Sequence, residues 1–223
     1  KLRRTFCIWG GMILRIPPKI QEEYLKYPCS PRVNQIFRAF ELCPLRKIKV
    51  VIIGQDPYPG AGKANGLAFS SNSKTPEIIH FNEELKEEFK IKTYDLTSWA
   101  NRGVLLLNSC LTIKEKQEGT EEDVRESHKD LGWEEVVEKV LVRLNNSKKP
   151  IAFLLWGIPA IELAEKLITN EKHLVLKSSH PSNQGYKQKL KAADYQSFCG
   201  CDHFKKANEF LQKHKIAPID WNT

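Results

Sequence analysis

Four short apolar runs set the rhythm of this chain. They are Val50 to Ile53, ending at Gly54; Val104 to Leu107, ending at Asn108; Ile151 to Trp156, ending at Gly157; and Leu174-Val175-Leu176, leading to His180. Each is shorter than a buried helix and apolar without alternation, so each reads as a strand covered on both faces. Between them the apolar positions recur every three or four residues, which is the helical period. Val33, Ile36, Phe37 and Phe40 share one helix face, closed by Pro44. Ile78, Phe81, Leu85 and Phe89 mark an acidic helix over 77–90, and Leu96 to Ala100 a short amphipathic piece. Leu131, Val136, Val137, Val140, Leu141 and Leu144 predict a strong helix with Asp130 as its cap. Further helices are expected over 159–168 and 203–214, and a short one from Ile20 to Tyr27 after Pro17-Pro18. Strand–helix alternation of this kind predicts an α/β fold: a single domain over 1–223 with a central four-stranded parallel sheet flanked by helices on both faces. No internal repeat or linker divides it, and residues 1–30 carry the weakest pattern.

The polar segments add constraints. Residues 56–70 hold Gly60, Gly62 and Gly66 without Walker spacing, and residues 114–129 are almost wholly polar and read as an exposed loop. More informative are the residues that stop the strands: Gln55-Asp56, Asn108, Gly157 and Ser179-His180. In a parallel sheet all four stops lie on one edge, where open α/β sheets bind ligands. A carboxylate, an amide and an imidazole therefore converge on one cleft. Each has a plainer alternative. Asp56 before proline also starts turns; His180 also suits a satisfied core position; Asn108 also ends a strand through a side-chain turn. Phe69 by its type belongs in the core, and Tyr58 equally packs against the sheet.

Composition narrows the classes. With 223 residues and 41% hydrophobic residues the chain can bury a substantial core. A net charge of +8 points to a polyanion or an anionic surface, or to a merely solvated basic exterior; charge alone does not choose among DNA, RNA and lipid. No run approaches the ~18 apolar residues of a membrane span, so no membrane partner is expected. The start, Lys1 to Ile16, is interrupted by Gly10-Gly11 and Arg15 and makes a poor signal-peptide core, although the chain begins without Met. The six cysteines form no Cys-x-x-Cys pair, so scattered buried thiols in a reducing compartment are expected, with neither zinc nor an iron–sulfur cluster.

The ordered series Gly54-Gln55-Asp56-Pro57-Tyr58, Asn65-Gly66-Leu67-Ala68-Phe69-Ser70, Gly103 to Asn108, Leu154-Leu155-Trp156-Gly157, His180-Pro181-Ser182, Gly200-Cys201-Asp202-His203-Phe204 and Pro218-Ile219-Asp220-Trp221 resembles the motifs of the family-1 uracil-DNA glycosylases, over about residues 30–223. The resemblance implies a monofunctional enzyme that flips uracil out of DNA, hydrolyses its N-glycosidic bond and initiates base excision repair with neither cofactor nor metal. It implies Asp56 as the carboxylate that orients water and stabilises positive charge on the sugar. His180 would donate to uracil O2, and Asn108 would read O4 and N3–H. Phe69 would stack on the base, Tyr58 would exclude a C5 methyl, and Gln55 would lend backbone groups. Ser182 and Gly157 are the implied DNA contacts; beside them Tyr186 is a candidate contact read from this chain itself, and Lys187, Lys189 and Lys191 would add non-specific attraction for phosphate. The expected partner is uracil-containing DNA, single- or double-stranded, bound by a monomer; a proteinaceous glycosylase inhibitor is a further one. The expected compartment is intracellular: nucleus, cytoplasm or, for a viral protein, the host cell; secretion is not expected.

Four positions depart from the family pattern. Pro59 stands where a histidine is usual, and Ser73 to Glu77 shorten a proline-rich loop and bring Glu77 towards a phosphate. Ile158 replaces a serine after Gly157. The segment after Ser182 lacks the usual leucine wedge, leaving Tyr186 or Leu190 for that role, with Tyr186 preferred. Two other readings stay open: a DNA-binding scaffold of the same fold, and a doubly wound nucleotide- or phosphate-binding enzyme. The absence of G-x-G-x-x-G and of the P-loop pattern counts against the second.

Overall fold

The computed structural model describes residues 6–86, 88–116, 127–188 and 195–223. In chain order its elements are β1 (Phe6–Trp9), β2 (Met12–Arg15), α1 (Pro18–Lys26), β3 (Cys29–Ser30), α2 (Arg38–Leu42), β4 (Val50–Gly54), α3 (Pro76–Leu85), α4 (Thr97–Asn101), β5 (Val104–Asn108), β6 (Ile113–Lys114), α5 (Trp133–Asn145), β7 (Ala152–Trp156), α6 (Ile158–Glu165), β8 (Leu174–Ser178) and α7 (His203–Lys213). The four expected strands form one parallel sheet in the order β5-β4-β7-β8. Every residue of β4, β5 and β7 is buried, which is why these runs carry no alternation. Only Ser178 of the edge strand β8 is buried, and Lys177 there finds Glu165 as an ion partner. From β4 the chain first crosses to β5, then returns over β4 to β7 and moves on to β8. Right-handed crossovers in opposite directions put their helices on opposite faces. Among the described residues no helix is long and apolar enough to cross a membrane.

Local chemistry moved several boundaries. Asp130 does not cap α5; its N–H donates to Glu134 Oε1 at 2.8 Å, and the helix starts two residues after Leu131, behind left-handed Gly132. That start drops Trp133 into the core, where its Nε1–H donates to Thr112 Oγ1. The expected helix through Val33 and Phe40 is two pieces, a 3-10 turn over Val33–Gln35 and α2. The break at Phe37 turns Phe37 edge-on to Trp133 and Phe40 edge-on to Trp9. Lys86, at φ 57°, stops α3 before Phe89. The N-terminal stretch is a hairpin whose two turn residues, Gly10 and Gly11, both have positive φ, the signature of the tight turn that fits strand twist. All six cysteines are free. Cys43, Cys110 and Cys201 are buried as expected and burial pushes each thiol up to about 12, but Cys199 is exposed.

Behind the sheet's carboxyl edge sits an aromatic cluster. Phe81 contacts Trp99, Trp156, Phe198 and Phe204, and Trp99 packs edge-on to Trp221. Two of its indole N–H groups have partners: Trp99 Nε1–H donates to the Trp221 carbonyl and Trp156 Nε1–H to His203 Nδ1 at 3.0 Å, whereas the buried Trp221 Nε1–H has none among the described residues. His203 is fully buried, and desolvation, with Lys206 adding to it, holds its imidazole down at about 3. It stays neutral in the fold while the unfolded chain takes up a proton near pH 6.5. Stability therefore declines as pH falls from that value towards 3. Between pH 7.5 and 5 this one residue is expected to cost about 2 kcal/mol. His203→Gln, which keeps an acceptor for Trp156, should lose that much less than wild type in denaturant titrations at the two pH values; equal losses would show that His203 is not the acid-sensitive group.

Candidate active site

The connections leaving β4 and β7 run in opposite directions, so a crevice opens at their carboxyl ends, the usual ligand position of such a sheet. A cavity of about 80 Å³ lies there, bounded among others by Asp56, Tyr58, Phe69, Asn108 and His180. It has room for one planar ring and not for a nucleotide.

The sheet register decides where the amide stands. Gly54 is the pairing partner of Asn108. A Cβ on Gly54 would lie 2.4 Å from Asn108 Oδ1 and 3.1 Å from the Ala68 Cβ. The missing side chain is thus what lets the carboxamide lean over the end of β4. Asn108 is 7% exposed, and among the described residues no protein group hydrogen-bonds its carboxamide. Its donor and acceptor therefore face the cavity and are open to a ligand.

Asp56 follows the buried end of β4 and is half-buried. Its Oδ1 accepts a 2.6 Å hydrogen bond from Ser127 Oγ. Ser127 is itself fixed, because it bridges to Ile113 and its neighbour His128 is buried with Nδ1 2.8 Å from Thr112 Oγ1. Thr112 is the same residue that accepts from Trp133. The start of α5 therefore orients the carboxylate through a short relay. Residues 117–126 of the polar stretch lie outside the described residues, but its end, expected to be exposed loop, is anchored in the core.

His180 is shaped by its own loop. The Ser182 N–H donates to His180 Nδ1 at 3.1 Å, so Nδ1 is an acceptor and the ring proton sits on Nε2. Gly185 makes the tight return possible: a Cβ there would lie 2.3 Å from the His180 carbonyl oxygen. His80 Nδ1–H donates to the Pro181 carbonyl at 2.6 Å and tethers this loop to α3.

Phe69 has φ 60°, a left-handed conformation that a bulky side chain adopts only at a cost of about 1–3 kcal/mol. Edge-on contacts to Trp156 and Phe81 hold it, and its ring faces His180 with centroids 5.6 Å apart. Tyr58 donates to Glu77 Oε2 at 2.9 Å. Burial and the Glu77 carboxylate push the phenol well above its usual range, so the hydroxyl keeps its proton.

Asp56, Tyr58, Phe69, Asn108 and His180 are thus brought together, and Gln55 lines the same cavity. The Gln55 carbonyl, however, is taken by the Cys110 N–H and Ser109 Oγ, which leaves its N–H as the backbone group for a base. Three expectations need correction. Tyr186 is no projecting wedge: it is 8% exposed, stacked on His80 at 4.0 Å and packed against Phe198. Gly157 offers no free N–H to phosphate, since that group donates to the Ser178 carbonyl; at φ 91° the residue instead leaves clearance for His180. Glu77 is buried against Tyr58 and does not face a phosphate. Ser182 is half-buried, its Oγ accepting from Gly185 N–H, and Lys187 is exposed. Lys189, Leu190 and Lys191 lie outside the described residues. Ser127 and His80 escaped the sequence reading. Neither belongs to an apolar period or a strand end, and the only local sign of Ser127 was its place shortly before a buried tryptophan.

Comparison with known proteins follows the same line. The model of the uracil DNA glycosylase superfamily matches residues 40–212. The chain is 45% identical to a uracil-DNA glycosylase of Dictyostelium discoideum over 202 residues, covering 87% of this chain and 54% of that protein. It is 42% identical to a uracil-DNA glycosylase of Amoebophilus asiaticus over 208 residues, covering 91% of this chain and 87% of that one. Among solved structures, that of mimivirus uracil-DNA glycosylase superposes with a TM-score of 0.79 at 28% identity, over 92% of this chain and 79% of that one. A tyrosine variant of the mimivirus protein in complex with UGI gives 0.79 at 27% identity, over 92% and 80%. An acid, an amide and an imidazole at one sheet edge, on a backbone of this likeness, leave a plain conclusion: the chain belongs to the uracil-DNA glycosylase superfamily.

Proposed function

We propose that this chain is a family-1, UNG-type uracil-DNA glycosylase. It takes a uracil flipped out of DNA, hydrolyses the bond between uracil N1 and the sugar C1′, and leaves an abasic site for base excision repair. The observation that carries this reading is the single-ring cavity in which the open Asn108 amide, the Asp56 carboxylate and the Nε2–H of His180 meet. The motif series and the 28% identity to the mimivirus glycosylase structure support the finer family.

The chemistry follows from these groups. As the N1–C1′ bond breaks, its electron pair moves onto uracil and the sugar becomes an oxocarbenium-like cation. The Nε2–H of His180 donates to O2, where part of the negative charge gathers. Asn108 donates from Nδ2 to O4 and accepts N3–H at Oδ1; cytosine reverses both, and a buried mismatch of that kind discriminates strongly. Phe69 offers its ring to one face of the base. Tyr58, held by Glu77, stands where C5 points and leaves no room for the thymine methyl. Asp56 stabilises the sugar cation and orients the water that adds to C1′, while Ser127 keeps one carboxylate oxygen engaged. No lysine nucleophile enters the scheme, so no lyase step follows. The mimivirus glycosylase variants crystallised in complex with UGI support a proteinaceous inhibitor as a second partner.

Three measurements test this. A uracil-containing oligonucleotide incubated with the protein in EDTA and then treated with alkali should break at uracil, and Asp56→Asn should abolish the break; an uncut wild-type sample would leave a DNA-binding scaffold as the reading. Ser127→Ala removes one hydrogen bond to a charged group, about 1.5–3 kcal/mol. It should lower kcat roughly tenfold with KM little changed; a rise in KM at constant kcat would refute the positioning role. Gly54→Ala drives a methyl into the Asn108 amide and should cut uracil release at least about a hundredfold, in a variant that still folds, at a modest cost in stability, and still binds uracil-free DNA. Retained activity would mean that the amide is not read.

A further inference from the structure

A second, much wider cavity lies at the other end of the sheet. It has a volume of about 800 Å³ and lies at the amino edge, before β4, β5 and β7. Arg46, Lys47 and Lys49 reach it from the approach to β4, Arg102 from the turn into β5, Lys148 and Lys149 from the turn into β7, and Lys215 from the end of α7. The lining thus holds seven cations and a single carboxylate, Asp220, which already pairs with Arg102 at 3.2 Å. Among the described residues no carboxylate pairs with the other six. The uracil cavity is the reverse, with Asp56 and Glu77 and no lysine or arginine in its lining. Much of the +8 net charge is therefore concentrated on the pole away from the chemistry.

Helix ends account for part of this. In a parallel α/β fold the helix C-termini gather at the amino edge, and α4, α5 and α7 all end near these lysines. A cation near a carbonyl end is favourable. That explains cations one by one, but not six unpaired ones around one open cleft, where they repel each other. The same geometry argues against a compact phosphate ligand. Such sites use helix N-termini and rows of free N–H groups. Here the helices present carbonyls, and the Gly103 N–H is spent on the Ala100 carbonyl. Point cations on four separate segments around an apolar floor of Ile48, Pro150 and Ile216 suit a long polyanion whose charge is spread out.

We propose that this cleft is a second DNA-binding surface, holding the phosphate backbone of a DNA segment other than the one that presents uracil. The choice of DNA as the polyanion rests on the glycosylase reading; the anionic, backbone-directed chemistry rests on the cleft alone. Occupied together, the two surfaces bridge two stretches of DNA, and the basic pole keeps the protein on DNA while the uracil pocket is empty.

The test uses Arg46→Ala/Lys148→Ala/Lys215→Ala, three exposed side chains from three segments, beside the charge-keeping Arg46→Lys/Lys148→Arg/Lys215→Arg. Binding of a uracil-free duplex is followed by anisotropy across a salt series. The alanine variant should bind at least about tenfold more weakly, and the slope of log K against log salt should shrink by about 2 to 3. The charge-keeping variant should match wild type in both. Wild-type protein held on an immobilised duplex should also capture a second, labelled duplex, and the alanine variant should not. Unchanged affinity and slope in a folded alanine variant would overturn the proposal, as would a wild type that captures no second duplex. Displacement of DNA by a mononucleotide at constant ionic strength would overturn it in favour of a nucleotide site. kcat on a short single-stranded uracil oligonucleotide should be the same in all three proteins. If wild type releases no uracil at all, the glycosylase reading fails while the binding arms still decide this one.

Discussion

The site depends on a close approach between two backbones and one amide. In the parallel register Gly54 stands beside Asn108, and only a residue without Cβ leaves the carboxamide its space. Because β4 and β5 are buried throughout, neither strand can slide to relieve a larger residue. The rigidity of the sheet is thereby passed to the Asn108 carboxamide.

Two further supports come from opposite sides. The aromatic cluster on Phe81 and Trp156 holds Phe69 in a backbone conformation it would not adopt alone. The relay from Trp133 through Thr112 and His128 to the Ser127 segment fixes the carboxylate from the α5 side. His180 is oriented without either, by a tight loop in which Gly157 and Gly185 give clearance and the Ser182 N–H selects the tautomer. Preorganisation of this kind lowers a barrier because the polar groups need not reorganise as charge develops.

The charge distribution completes the picture. The small cavity at the carboxyl edge is lined by carboxylates, and the wide one at the amino edge by unpaired cations. A carboxylate-lined cavity suits a developing sugar cation, while on the proposed second surface affinity for the polyanion would come from cations that stand elsewhere. Separating the two keeps Asp56 away from the cations of the basic cleft.

Period and strand endings in the sequence determined the sheet, its parallel sense and the edge where Asp56, Asn108 and His180 meet, because a strand buried on both faces has to be continuously apolar and has to stop where polar chemistry starts. The motif series pointed to Asn108 and Phe69, which the fold brings to the same cavity. Only the tertiary structure decided the rest. Ser127 and His80 act across long sequence separations, through single hydrogen bonds that leave no periodic trace. Tyr186, apolar enough to serve as a wedge, is claimed instead by His80 and Phe198, since a ring with partners on hand is more stable packed than projecting. The basic cleft, too, is invisible along the chain. Its cations are scattered over four segments, and only the parallel fold, which gathers strand starts at one edge, makes them one surface.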